Sequence, residues 1–490
     1  MTARPLMIAG TTSDAGKTTL VTGLCRWLAR QGVRSAPYKA QNMSNNSMVC
    51  ADGAEIGRAQ WIQAVAAGAE PEAAMNPVLL KPGSDRRSHV VLLGRPWGEL
   101  AARDFTTRRT ELAEAAFAAY DDLAARYDVV LCEGAGSPAE INLRGSDYVN
   151  LGLARHIGAP VVVVGDIDRG GVFAAMFGTV ALLEPADQAL ISVFVVNKFR
   201  GDLELLRPGL RMLENACGRP VHGVLPWLPD VWLDSEDALD VPGRRASVGR
   251  ADALSVAVVR FPRISNFTDV DALAVEPTTS VFFTADAADV RDADLVVLPG
   301  SRATLGDLAW LRSTGLADAV VARVAAGLPV IGICGGYQML GERIDDPYGV
   351  EGGGSADGLG LLPVATTFAA EKTLTRPGPT SYEIHHGVAE VTGAADEFPG
   401  GCRVGSTWGT IRHGLLDGDA QRHAFLSEVA GLTGRPAPDG RTSFAAQREE
   451  RLDRLADAVE EHLDTAALLR LIETGPPADL PFVPPGAPAA

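Results

Sequence analysis

Short uninterrupted apolar runs recur along this chain, and each closes on glycine or on a charged or amide side chain: Leu6-Met7-Ile8-Ala9, Val129-Val130-Leu131-Cys132, Val161-Val162-Val163-Val164 and Val193-Phe194-Val195-Val196. Runs of this length, bounded by turn residues, predict strands buried on both faces, and therefore a parallel sheet covered by helices. Several strand ends carry chemistry: Glu133 before Gly134, Asp166-Ile167-Asp168-Arg169 before Gly170-Gly171, and Asn197-Lys198-Phe199-Arg200 before Gly201. Open α/β sheets bind ligands at those C-terminal ends. Residues 221–227 predict a last strand for this half. From about Leu228 to Arg250 the chain turns acidic and gains Pro242 and Gly243, as an interdomain linker does. A second α/β pattern starts at residues 254–259 and continues at 295–298 and 330–333. One helix is expected over 444–471, with Leu452, Leu455, Val459 and Leu463 on its apolar face. The expected organisation is a first α/β domain at 1–230, a linker at 231–251, a second α/β domain at 252–432, a helical extension at 433–475 and a Pro/Ala-rich disordered tail at 476–490.

With 490 residues, 46% of them apolar, the chain can bury more than one core. Its net charge of −17 argues against nucleic acid or an anionic membrane surface as the main partner, so an acidic substrate needs a local basic patch. Arg86, Arg87 and His89 form one such island. Cysteines 25, 50, 132, 217, 334 and 402 are scattered, with no C-x-x-C pair and no metal-ligand spacing, as expected of a reduced, cytoplasmic protein. The first residues do not read as a signal peptide, and no apolar run is long enough to span a bilayer.

Gly10-Thr11-Thr12-Ser13-Asp14-Ala15-Gly16-Lys17-Thr18-Thr19 follows the first strand and opens an apolar-periodic helix to about Arg30. Such a loop can wrap phosphates in its N–H groups, with Lys17 on the terminal phosphates and the Thr18 hydroxyl on Mg²⁺. It is one residue longer than the common G-x-x-x-x-G-K-[ST] spacing, but Gly16-Lys17-Thr18 is intact. Glu133, delivered to the same sheet edge, suits a cation bridging nucleotide phosphates. The amide-rich run from Lys39 to Ser47, with Asn42 and Asn45, is denser in polar groups than a connection needs.

In the second half, Val330-Ile331-Gly332-Ile333-Cys334-Gly335-Gly336-Tyr337 reads as a buried strand, a tight turn and a helix beginning near Tyr337. That is a nucleophile elbow. Glycines on both sides let the backbone lift Cys334 clear and leave bare N–H groups, that of Gly335 among them, to hold an oxyanion. Gly300, in the turn after the strand at 295–298, is the expected second donor. The helix end also favours thiolate over thiol. A thiolate needs a base, and elbows place it late in the chain after another strand, which His413 fits best; His385, in Tyr382-Glu383-Ile384-His385-His386, is the rival.

A P-loop half joined to a cysteine elbow suggests nitrogen released from glutamine at one site and used at an ATP-driven site. The motifs go further. Lys39-Ala40-Gln41-Asn42-Met43-Ser44, Glu55 to Gln60, Glu133 to Glu140, Gly165 to Gly171, Asn197 to Asp202, Ser265-Asn266-Phe267-Thr268-Asp269 and Leu298-Pro299-Gly300-Ser301 closely resemble the cobyric acid synthase family, over about residues 5–430. The resemblance implies a first half similar to dethiobiotin synthetase, a second half similar to class I glutamine amidotransferases, and ATP and Mg²⁺ as cofactors. It also implies a glutamine-hydrolysing ligase that amidates the b, d, e and g carboxylates of adenosylcobyrinic acid a,c-diamide. By position Cys334 is then the nucleophile, His413 its base, Lys17 and Thr18 the phosphate and Mg²⁺ residues, Glu133 a second metal ligand, and Asn197 the adenine contact. The need to grip a corrin polycarboxylate points to Arg86, Arg87, Arg144, Arg169 and Arg200, with Asn42 and Asn45 from the polar run. Two positions depart from the pattern: Leu415 stands where class I enzymes carry an acid two residues after the histidine, and His386 stands where Met is expected. Two alternatives stay open, amidation of a different carboxylate (cobyrinic acid a,c-diamide formation or a cell-wall intermediate) and an ATP-switch protein that positions partners. The oligomeric state is open as well.

Overall fold

Arg4–Gly10, Val129–Glu133, Val161–Asp166 and Ile191–Phe199 each carry an apolar run, and they occupy the middle of a six-stranded, wholly parallel sheet. Val221–Pro226 and Ser35–Tyr38 complete its edges. Because side chains alternate across a strand, Leu6 and Ile8 enter one core while Met7 and Ala9 enter the other. The structure, a computed structural model, describes residues 3–84, 87–101, 105–229, 231–233 and 252–486. The expected linker at 231–251 lies outside the described residues except at 231–233.

The second half repeats the plan. Thr279–Thr284, Leu254–Val259, Leu295–Leu298, Val330–Ile333 and Thr407–Thr410 pair in parallel, and two antiparallel strands, Gly401–Val404 and Asp396–Phe398, extend the edge. Each half also carries a small four-stranded sheet, including Val78–Ser84 in the first and Val364–Thr375 with Glu383–Val391 in the second. The two halves meet through the hairpin of Ser47–Val49 and Glu55–Gly57, whose Ser47 N–H donates to Asn266 Oδ1 at 2.9 Å.

The C-terminal region differs from expectation in two ways. Residues 444–471 form not one helix but two, Phe444–His462 and Thr465–Thr474, because Asp464 caps a new start by accepting from the Ala467 N–H. The first of them lies on the helix Lys17–Arg30: Leu452, Leu455 and Val459 join Leu20, Val21 and Leu24 in one core, and a Cβ on Gly23 would come within 2.9 Å of Val459. Close approach there needs the glycine. This pair therefore covers a face of the first sheet. The tail expected to be disordered is docked as far as Gly486: Val483 is buried, exchanges backbone bonds of 2.8 and 2.9 Å with the Gln188 amide, and Gly486 N–H donates to Ala181 O. Pro/Ala-rich composition removes neither the backbone donors nor the apolar Val483 that this docking uses.

Candidate active sites

The loop from Gly10 to Thr19 bends over the C-terminal end of the central strand, with Gly16 at φ +96° and Asp14 at φ +58°. Lys17 reaches back along the loop, its Nζ 3.0 Å from Thr12 O and 3.2 Å from Gly136 O. Asn197 is buried beside it and donates to Ala15 O at 3.0 Å, so tightly that a Cβ on Gly16 would overlap the Asn197 amide. Glu133 is fully buried at the end of its own strand. Its Oε1 accepts from Thr18 Oγ1 and from Lys39 Nζ, each at 2.8 Å, and its Oε2 accepts from Gln63 Nε2 at 2.6 Å.

Thr18 and Glu133 fit a magnesium ion. Cis ligands of an octahedral ion with bonds of about 2.0–2.1 Å lie about 2.9 Å apart, and the 2.8 Å between Thr18 Oγ1 and Glu133 Oε1 matches that spacing. Among the described residues no group of three or more His, Cys, Asp or Glu side chains forms a dedicated metal cage. Such an ion would share its coordination with phosphate and water, as magnesium usually does.

Cys334 sits in the turn between Val330–Ile333 and Gly335–Leu340 with φ +51° and ψ −108°. A non-glycine residue in that region is strained by roughly 1–3 kcal/mol and is held there by its surroundings. Here the clamps are the Cys334 N–H on Thr410 O at 2.7 Å and the Gly336 N–H on Pro299 O at 3.1 Å. A Cβ on Gly336 would lie 1.9 Å from Leu298 O, which is why the turn needs glycine. The helix starts at Gly335, two residues earlier than the sequence predicts.

His413 is buried within hydrogen-bonding reach of Cys334, and its Nδ1 lies 2.7 Å from Asp269 Oδ2. The other Asp269 oxygen accepts from Gly414 N–H at 2.8 Å. Tyr382 completes the setting by stacking on the imidazole at 5.3 Å and exchanging two backbone bonds with His413, of 2.9 and 3.0 Å. Burial by itself would lower the imidazole pKa, but the Asp269 carboxylate and the charge of Cys334 outweigh it and raise it to about 10. His385 lines the same cavity as Cys334 but points toward Glu383, 3.7 Å away. The geometry thus favours His413 over His385 as base and supplies the acid that Leu415 does not. Asp269 escaped the sequence reading as an acid because it lies 144 residues before its histidine; the only signal was its place in the Ser265–Asp269 motif.

The turn that holds Gly300, the expected second donor, lies against the elbow. Gly300–Ser301 pairs antiparallel with Ile264–Ser265, and Arg302 N–H donates to Arg263 O at 2.9 Å. Alternation along such a ladder turns Gly300 N–H toward Ser265 and leaves Ser301 N–H facing the other way. Consistent with this, a Cβ on Gly335 would lie 2.9 Å from Ser301 N. The Ser301 N–H thus faces the elbow beside Gly335.

Among the described residues, the expected corrin contacts fall at separate places. Asn42 is buried and donates to Gln60 Oε1, while Asn45 lines the Cys334 cavity. Arg169 pairs with Asp14 at 2.7 Å, and Arg200 pairs with Asp168 at 3.2 Å and lies over the Trp227 ring, so these two do flank the phosphate loop. Arg144 is engaged by Asp187 through two bonds. Arg86 lies outside the described residues, as does the side chain of Arg87.

Fold and sites together define a class: an enzyme in which a P-loop nucleotide-binding domain is joined to a glutamine amidotransferase domain. Residues 6–241 match the CobQ/CobB/MinD/ParA nucleotide binding domain and residues 255–421 the CobB/CobQ-like glutamine amidotransferase domain. The chain is 64% identical over 494 residues to the cobyric acid synthase of Mycolicibacterium vanbaalenii, 64% over 495 to that of Mycobacterium ulcerans and 62% over 498 to that of Mycobacterium tuberculosis, covering 99% of both chains each time. It belongs to the cobyric acid synthase family.

Proposed function

We propose that this chain uses ATP and glutamine to amidate the b, d, e and g carboxylates of adenosylcobyrinic acid a,c-diamide, giving adenosylcobyric acid. What carries the reading is the wall of the Cys334 cavity, which includes Asn45 and Lys81 of the nucleotide-binding half. Ammonia freed at the thiolate is then released against the half that activates carboxylates. The choice of acceptor rests on the likeness to cobyric acid synthases along the whole chain.

In the amidotransferase half, Cys334 attacks the side-chain amide carbonyl of glutamine, with Gly335 and Ser301 N–H groups on the oxyanion. His413 protonates the departing ammonia, and water then releases glutamate from the thioester. Arg302 and Glu351 lie in the same cavity 3.6 Å apart, opposite charges suited to the carboxylate and ammonium of a free amino acid. Glu351 is aimed by its loop, since Asp346 accepts from the Val350, Glu351 and Gly353 N–H groups. In the other half Lys17 stabilises charge on the phosphoryl group that a substrate carboxylate takes up, and the acyl phosphate accepts ammonia. Mg²⁺, held by Thr18 and Glu133, would neutralise charge on the phosphates.

Asp269→Asn should lower glutamine hydrolysis by about 10³-fold, because the imidazole loses both its tautomer and its charge partner. The pH profile separates this from misfolding. The imidazolium that protonates the leaving nitrogen is present below about 10 and is lost above it, so hydrolysis should fall as pH rises through that value. Removing the carboxylate should move the fall to lower pH, and an unmoved profile would contradict the pairing. The acceptor is tested by a panel: conversion of cobyrinic acid at its a and c positions, with the a,c-diamide untouched, would favour the alternative substrate.

A further inference from the structure

One short segment touches both reaction centres. Glu55, in Glu55–Gly57, is fully buried and is held by Lys81 of its own half and by Lys372 of the amidotransferase half, Nζ to Oε2 2.5 Å. The chain then enters the helix Arg58–Ala67 directly. At its first turn Arg58 lies 3.9 Å from Asp417, in the turn that follows His413. Along the same helix Gln63, also fully buried, donates to Glu133 Oε2 at 2.6 Å, beside Thr18 of the phosphate loop. The strand hydrogen-bonded to Glu55–Gly57 reinforces the link, for Ser47 Oγ donates to Glu55 at 2.8 Å while Ser47 N–H donates to Asn266, at the head of the turn Phe267–Val270 that carries Asp269.

These contacts make the segment a stiff connection. Burial alone would raise the Glu55 carboxyl, yet Lys372 and Lys81 hold it well below the usual carboxylate range, and burial in turn pushes the Lys81 ammonium down to about 7. Moving Glu55 away from either lysine would strand a buried charge, which is costly enough to favour discrete over graded displacement. At the other end, a cation on Thr18 and Glu133 Oε1 would draw on the carboxylate whose other oxygen, Oε2, Gln63 holds, so occupancy there would bear on the position of Gln63.

Building on the glutamine- and ATP-dependent reading above, we propose that the Glu55–Gln63 segment couples glutamine hydrolysis at Cys334 to nucleotide occupancy at Glu133, with Glu55 and Gln63 as positioning residues. Glutamine is then hydrolysed at full rate only when the carboxylate-activating site is loaded, which limits waste of ammonia. The coupling runs both ways, because linked binding equilibria are reciprocal.

The test uses the full chain, unmodified and as Glu55→Gln, Gln63→Leu and the double variant. Two rates are read with and without Mg-ATP: glutamate release, and iodoacetamide alkylation of Cys334 followed by peptide mass spectrometry. In the unmodified protein Mg-ATP should change both by at least about fivefold, and each single variant should reduce that response to within about twofold while Glu55→Gln keeps ammonium-driven amidation within about twofold. The double variant should respond like either single one, as residues on one path do. A merely structural role would lower the rates with and without Mg-ATP alike and keep their ratio, which overturns the proposal; so does an unmodified protein that ignores Mg-ATP. Should Glu55→Gln fail to fold, Gln63→Leu carries the same comparison. Alkylation needs no acceptor, so failure of the corrin assignment leaves this result readable.

Discussion

Cys334→Ser should abolish glutamine-dependent amidation, by at least about 10³-fold, while sparing amidation driven by free ammonium. Serine matches cysteine in size, and the backbone at φ +51° is held by Thr410 and Pro299 through main-chain bonds that the change leaves alone. The loss is therefore chemical. An alcohol is a far weaker acid than a thiol, so the His413 imidazolium beside it has no thiolate to stabilise. Free ammonium bypasses the thioester altogether and needs only the phosphate-loop half. Parallel rates with glutamine and with ammonium measure this directly, and equal loss of both would contradict the division of labour between the halves.

Lys17→Ala should stop both nitrogen sources. Lys17 is the cation of the loop, positioned by Thr12 O and Gly136 O within the curl that receives phosphates. Phosphoryl transfer is catalysed by positioning and by charge stabilisation, so loss of this ammonium should cost about 10²–10³-fold in amidation from either source. Glutamine hydrolysis should persist at the lower rate the protein shows without Mg-ATP, since Cys334, His413 and Asp269 are untouched. Retained ammonium-driven amidation in this variant would place carboxylate activation elsewhere.

The parts of this account that were legible in the sequence are those whose function needs consecutive residues. A phosphate loop and a cysteine elbow are local devices: glycine positions, strand and helix together dictate their backbone, and both stand where the pattern puts them. Asp269 is the opposite case, because its partner His413 comes from another strand end and only the parallel sheet brings their loops together. Which N–H of the Gly300–Ser301 turn faces the elbow is hidden for a related reason, since ladder alternation, not composition, decides it. Likewise Asp464 broke a helix that periodicity alone would continue, and the tail found Gln188 by a tertiary contact that its composition does not announce. The partners of the arginines are not legible in sequence, because a guanidinium that grips a substrate and one that grips Asp187 have the same signature.

The most direct test of the central claim is mass spectrometry of adenosylcobyrinic acid a,c-diamide incubated with the protein, Mg-ATP and glutamine, with glutamate release followed in parallel. Stepwise appearance of amides at the four target carboxylates, one glutamate per amide, is the expected result. Glutamate release with an unchanged corrin would contradict the proposed acceptor and direct the search to another carboxylate.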